Sequence, residues 1–77
     1  MSYNHPLLQP ALTLLRSGRT AEAVAEVTRL SLAGVAPAAR VLGEMKWGGT
    51  AGSDPVAARR LFERAANLGD PLAGHWV

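Results

Sequence analysis

Glycine recurs along this chain at intervals that leave room for one helix at a time. Gly18, Gly34, the pair Gly48-Gly49 and Gly69 each follow a stretch in which apolar residues return every three or four positions. Glycine readily takes the left-handed backbone conformation that ends a helix, so each is read as a stop. Residues suited to opening a helix follow most of these stops: Thr20 after Gly18, Pro37 after Gly34, and Asp54-Pro55 after Gly49. The pattern predicts a series of short helices joined by tight turns.

The first predicted helix runs from about Leu7 to Ser17, with Pro10 tolerable only in the opening turn, where its missing N–H would have had no partner anyway. The second follows Thr20 as N-cap and carries Ala23, Val27 and Leu30 on one face, with Val24 beside them. The third opens at Pro37 and sets Ala38, Val41, Leu42 and Met45 on a single stripe. After a loop from Gly48 to Ser53, Asp54 caps a fourth helix whose Ala58, Leu61, Phe62 and Ala65 fall at i, i+3, i+4 and i+7. Gly69-Asp70-Pro71 repeats the stop-and-start pattern, and Leu72 to Val77 make about two turns of a fifth helix. Composition agrees. Hydrophobic residues make up 48% of the chain and aromatics only 5%, and the apolar residues are mostly Ala, Leu and Val, which suit closely packed helices better than a sheet. With 77 residues and no cysteine, packing alone must hold the fold.

The helices repeat in pairs. Setting Gly34 on Gly69 gives an offset of 35 residues, which brings Ala23 onto Ala58, Val27 onto Phe62, Leu30 onto Ala65 and Ala38 onto Ala73. For the first helix of each pair the offset is 30, with Leu12, Leu15 and Gly18 over Leu42, Met45 and Gly48. Units of this size, made of two antiparallel helices, build α-solenoids in which each pair buries its apolar side against the next. The expected fold is therefore all-α: a single module over residues 1–77 forming a short α-solenoid of antiparallel helix pairs. It comprises a degenerate first repeat at 7–34, a second at 38–73, and a half repeat or cap at 70–77.

From Ala38 to Ala73 the chain resembles a Sel1-like repeat, a relative of the tetratricopeptide repeat. The residues that carry the likeness are Ala38, Leu42-Gly43, Met45, Trp47, Gly49, Asp54, Ala58, Leu61-Phe62, Ala65-Ala66, Gly69 and Ala73. Leu12 to Gly34 looks like a shorter-turned copy. The sequence departs from the family pattern at Lys46, where a tyrosine is usual, and at Ala51-Gly52, in a loop one residue short. The resemblance implies an adaptor or scaffold for protein complexes, commonly in bacterial signalling, and implies no catalytic residues.

Chemistry-bearing constellations are sparse. His5 and His75 lie at opposite ends with no carboxylate at metal-ligand spacing, so neither a metal nor another cofactor is expected. The serines lack a Gly-x-Ser-x-Gly elbow, and Gly48 to Ser53 lacks the Gly-Lys-Ser/Thr of a phosphate loop. No enzyme is expected. Eight Lys and Arg against six acids give a net charge of only +2, although the pI is 9.9. The net charge is small, the Arg59, Arg60, Arg64 cluster is offset locally by Glu63, and its one aromatic, Phe62, belongs to the apolar stripe, which makes nucleic acid an unfavoured partner. Neither a signal sequence nor an apolar run of about 20 residues is present, so a cytoplasmic protein without membrane attachment is expected.

The candidate binding residues are Arg40, Glu44 and Trp47, which share a face at i, i+4 and i+7 opposite the third helix's apolar stripe, together with Trp76. A cation, an anion and an indole on one face can pair charges with a peptide and anchor it. The alternative reading packs Trp47 as core against the next helix. The expected function is a protein–protein interaction module presenting a helical groove to a protein or peptide. The competing expectation is a self-associating segment, forming a homodimer, or an N-terminal accessory segment of a larger bacterial protein or enzyme, because the half repeat leaves Leu72, Trp76 and Val77 without a second helix to cover them.

Overall fold

Among the described residues the architecture is four α-helices, each packed against its neighbour in sequence. The computed structural model describes residues 6–50 and 52–69. A single 3-10 turn, Pro6–Leu8, leads into α1 (Gln9–Arg16), followed by α2 (Thr20–Leu32), α3 (Ala36–Gly48) and α4 (Pro55–Asn67), and no strand occurs among the described residues. The predicted fifth helix, with Trp76, lies outside them.

The glycine stops act as read. Gly18, Gly34, Gly49 and Gly69 all have positive φ, between 79° and 98°. At the end of α1, Gly18 N–H donates to the Leu15 carbonyl and Arg19 N–H to the Leu14 carbonyl. At the end of α2, Gly34 and Val35 donate to Ser31 and Leu30 in the same way. Both are Schellman closures, which satisfy two carbonyls that helix termination would otherwise leave without donors. The expected stop within Gly48-Gly49 resolves in favour of the second residue: Gly48 is still helical and Gly49, at φ 87°, makes the turn. Under the offset of 30, α3 ends two residues beyond α1, at Gly48 against Arg16, so the expected match of Gly18 to Gly48 does not hold at the helix ends.

Two helix starts differ slightly from expectation. Thr20 is the first residue of α2 and not its N-cap; Arg19 occupies that position, and no side chain caps the helix. The Schellman closure of α1 already uses the Arg19 N–H, so the chain enters α2 at once, with no spare residue for Thr20 to cap from. Similarly, α3 begins at Ala36 and puts Pro37 second, a position that still lacks an intrahelical acceptor for an N–H. Pro10 likewise falls in the opening turn of α1, as its chemistry requires. Asp54 does cap α4: its Oδ1 accepts from the Ala57 N–H at 3.0 Å, with Pro55 as first helical residue. Asp54→Ala should lower stability by about 1 kcal/mol, read as a lower urea midpoint at unchanged slope.

The main core gathers Leu8 and Ala11 with Val27 and Leu30 of α2 and Ala38, Val41, Leu42 and Met45 of α3, with Leu15, Val24, Val35 and Leu61 packed around it. The described apolar pairs matched at the offset of 35 are all buried: Ala23 and Ala58, Val27 and Phe62, Leu30 and Ala65. Of the apolar positions matched at the offset of 30, Leu42 and Met45 are buried, whereas Leu12 and Leu15 are only partly so. A second, small-residue contact joins α3 to α4, where Ala39 and Ala65 are fully buried with Ala66 beside them. One turn along, Gly43 faces the Phe62 ring so closely that a Cβ there would lie 2.8 Å from it.

This close approach makes α3 the central helix. It is covered on both sides, and Ala38, Ala39, Arg40, Val41, Leu42, Gly43 and Met45 are all buried. The expectation that α3 carries one buried stripe and one exposed face is thereby corrected: Arg40, placed opposite the stripe, is only 3% exposed.

Candidate partner-binding groove

Burial of Arg40 changes the meaning of the predicted Arg40, Glu44, Trp47 face. Arg40 Nη1 lies 3.1 Å from Glu44 Oε1, and both side chains are largely withdrawn from solvent. The second carboxylate oxygen of Glu44 is buried, with no hydrogen bond among the described residues. The pair is an intrahelical tie one turn apart, engaged with itself and not presented to a partner. Trp47, at the end of α3, is 58% exposed, so it is neither core nor continuous with an accessible charged pair. Trp76 lies outside the described residues. The structure thus brings together Arg40 and Glu44 and leaves Trp47 apart from them at the surface.

A different surface is better formed. The C-terminal half of α2, α3 from Leu42 to Lys46 and α4 from Val56 to Arg64 enclose an open groove of about 380 Å³. Thr28, Ser31 and Leu32 of α2 form one wall at i, i+3 and i+4, and Leu42 and Lys46 of α3 form the floor one turn apart. Val56, Ala57, Arg60, Leu61 and Arg64 of α4 form the opposite wall. Two large apolar residues are notably uncovered, Leu32 at 75% and Val56 at 64% exposure. Leu32 stands on the α2 wall and Val56 on the α4 wall, and Leu42 and Leu61 add apolar surface beside the charged Lys46, Asp54, Arg60 and Arg64.

Local bonds fix this geometry. The Asp54 N–H donates to the Lys46 carbonyl at 3.1 Å and draws the start of α4 against the end of α3. Across the groove an Arg64 guanidinium nitrogen donates to the buried Ser31 carbonyl at 3.0 Å, tying α4 to α2. Elsewhere the surface charges are mostly spent in short-range pairs: Arg19 with Glu22, Arg29 with Glu26, and Arg59 with Glu63. The hydrogen bond from Arg29 holds the Glu26 carboxyl below its usual range and raises the arginine correspondingly.

No three His, Cys, Asp or Glu side chains converge among the described residues in a way that could hold a metal ion. No described helix is long and apolar enough to cross a membrane. Pattern reading missed the groove because it looked for exposed faces opposite each stripe. The available signal was Leu32 and Val56 themselves, large apolar residues that fall off the stripes of α2 and α4 and so have no core to enter. Compared with known proteins, the chain matches no family model, no curated protein and no solved structure.

Proposed function

We propose that this chain is a helical-repeat interaction module that binds a segment of a partner protein in the groove between α2, α3 and α4. The observation that carries the reading is that two exposed large apolar residues, Leu32 of α2 and Val56 of α4, line the same preformed cleft. Apolar side chains on rigid helices lose little entropy on binding and gain about 25 cal/mol for each Å² of apolar surface they bury. A groove with such walls is suited to side chains presented by another chain. The repeat character is supported by the burial of the apolar positions matched at the offset of 35, Ala23 with Ala58, Val27 with Phe62 and Leu30 with Ala65. In this reading the two helix pairs stack as a short solenoid, in the manner of Sel1-like and tetratricopeptide repeats, and the role is binding and not catalysis.

The test is selection from a random peptide display library against the full chain, followed by affinity measurement with Leu32→Asp and Val56→Asp variants. Both sites are exposed, so the fold should survive, as far-UV circular dichroism would show. Selected peptides should lose at least about tenfold in affinity on either change, since burying a carboxylate without a partner is costly. If the library yields no binder, or binders indifferent to both substitutions, the groove is not a docking surface. A chain that dimerises in light scattering through Leu32 and Val56 would instead favour the self-associating reading.

A further inference from the structure

The groove differs in charge from the rest of the surface. Among the described residues, Arg19, Arg29, Arg40 and Arg59 each have a carboxylate partner. Arg16, Lys46, Arg60 and Arg64 do not, and the last three all line the groove. The groove's one acidic residue is Asp54, whose Oδ1 is engaged by the α4 N-terminus. Three cations stand against this single carboxylate in a cleft whose remaining lining, Thr28 and Ser31 apart, is apolar. Arg64 is held in place by its bond to the Ser31 carbonyl, which orients the guanidinium across the cleft.

We infer that the segment this groove takes is acidic. It carries apolar side chains that contact Leu32, Leu42, Val56 and Leu61, flanked by aspartates or glutamates that face Lys46, Arg60 and Arg64. This rests on the groove being the docking surface proposed above. Like charges left without carboxylate partners along the cleft disfavour a basic occupant, and an acidic one supplies the missing half of each ion pair. The same cations could meet phosphates, but no aromatic side chain lines the groove for bases to stack on, and its apolar walls suit side chains better than a sugar-phosphate backbone.

The experiment measures binding of the full chain to three fluorescent peptides that share leucine spacing and carry glutamate, glutamine or lysine at the intervening positions. A single-stranded oligonucleotide is the fourth probe. The glutamate peptide should bind about tenfold more tightly than the glutamine peptide, and the lysine peptide weakest. The advantage should shrink as salt rises toward 1 M, where screening acts within about 3 Å. A Lys46→Gln, Arg60→Gln double variant should lose about tenfold for the glutamate peptide and little for the glutamine peptide; both residues lie at the groove's surface, so folding should be retained. Equal binding of glutamate and glutamine peptides, with both abolished by Leu32→Asp, would overturn the acidic preference while the groove reading stands. Tighter binding of the oligonucleotide than of any peptide would overturn it in favour of nucleic acid. Failure of all probes, together with a display selection that yields nothing, would overturn the groove reading and this inference with it.

Discussion

Phe62→Ala should cost about 3–5 kcal/mol of stability, the largest single loss expected from any described residue. Phe62 is only 2% exposed and is the largest fully buried side chain among the described residues. It packs against α3 at Gly43, where the helices approach most closely, so its removal leaves a cavity that rigid neighbours cannot fill. A folded chain of this length holds roughly 4–12 kcal/mol in total, at about 0.05–0.15 kcal/mol per residue. The variant should therefore be partly unfolded at room temperature or unfold well below the native midpoint in urea, monitored by far-UV circular dichroism. Phe62→Leu, which keeps most of the volume, should lose much less.

Gly43→Val is expected to destabilise by about 2–3 kcal/mol, although valine has the higher helix propensity. The first added carbon would stand 2.8 Å from Phe62 Cε1 and 2.9 Å from Cδ1, closer than packed carbons tolerate. The ring cannot swing away without leaving its buried site, so either the ring distorts or α3 and α4 separate and the Ala39 to Ala65 contact opens with them. The propensity gain of a few tenths of a kcal/mol is the smaller effect. Gly48→Ala provides the comparison. Nothing lies within 4 Å of a Cβ there, so that change should be neutral or slightly stabilising. Combining Gly43→Val with Phe62→Leu should cost less than the sum of the two, because the smaller side chain makes room for the added methyls; additive losses in urea titrations would contradict direct contact.

These two positions also show what was legible in the sequence. The spacing of Ala58, Leu61, Phe62 and Ala65 identified the buried side of α4, and the match of Phe62 to Val27 identified the equivalent side of α2. The helix ends followed from glycine, because few other residues adopt the φ of 79° to 98° found at Gly18, Gly34, Gly49 and Gly69. Periodicity is less informative for a helix with two neighbours. A single stripe presumes one packing partner, whereas α3 packs against both α2 and α4. Arg40, on the far side of the stripe, is consequently buried and paired with Glu44 in place of facing solvent. The small residues Ala39 and Gly43 marked that second contact and had a packing reason that a stripe along Ala38, Val41 and Met45 does not express.

The groove was illegible for a related reason. It is a property of how three helices are set relative to one another, fixed by the Asp54 to Lys46 and Arg64 to Ser31 hydrogen bonds, and no one helix carries its pattern. The candidate residues read from the sequence clustered instead on α3, where Arg40 and Glu44 are largely withdrawn from solvent and paired with each other. Trp47 alone of them remains substantially exposed among the described residues. The structure thus separates two candidate surfaces, the apolar groove and the α3 end bearing Trp47, that the sequence could not distinguish.

The most direct measurement is a nuclear magnetic resonance titration of the full chain with a peptide taken from the display selection. The account predicts that the largest shift changes fall on the methyls of Leu32, Val56 and Leu61 and on the backbone of Arg60, while the Trp47 indole N–H stays in place. Changes concentrated at the Trp47 indole, with the Leu32 and Val56 methyls unmoved, would contradict it and return the binding surface to the end of α3.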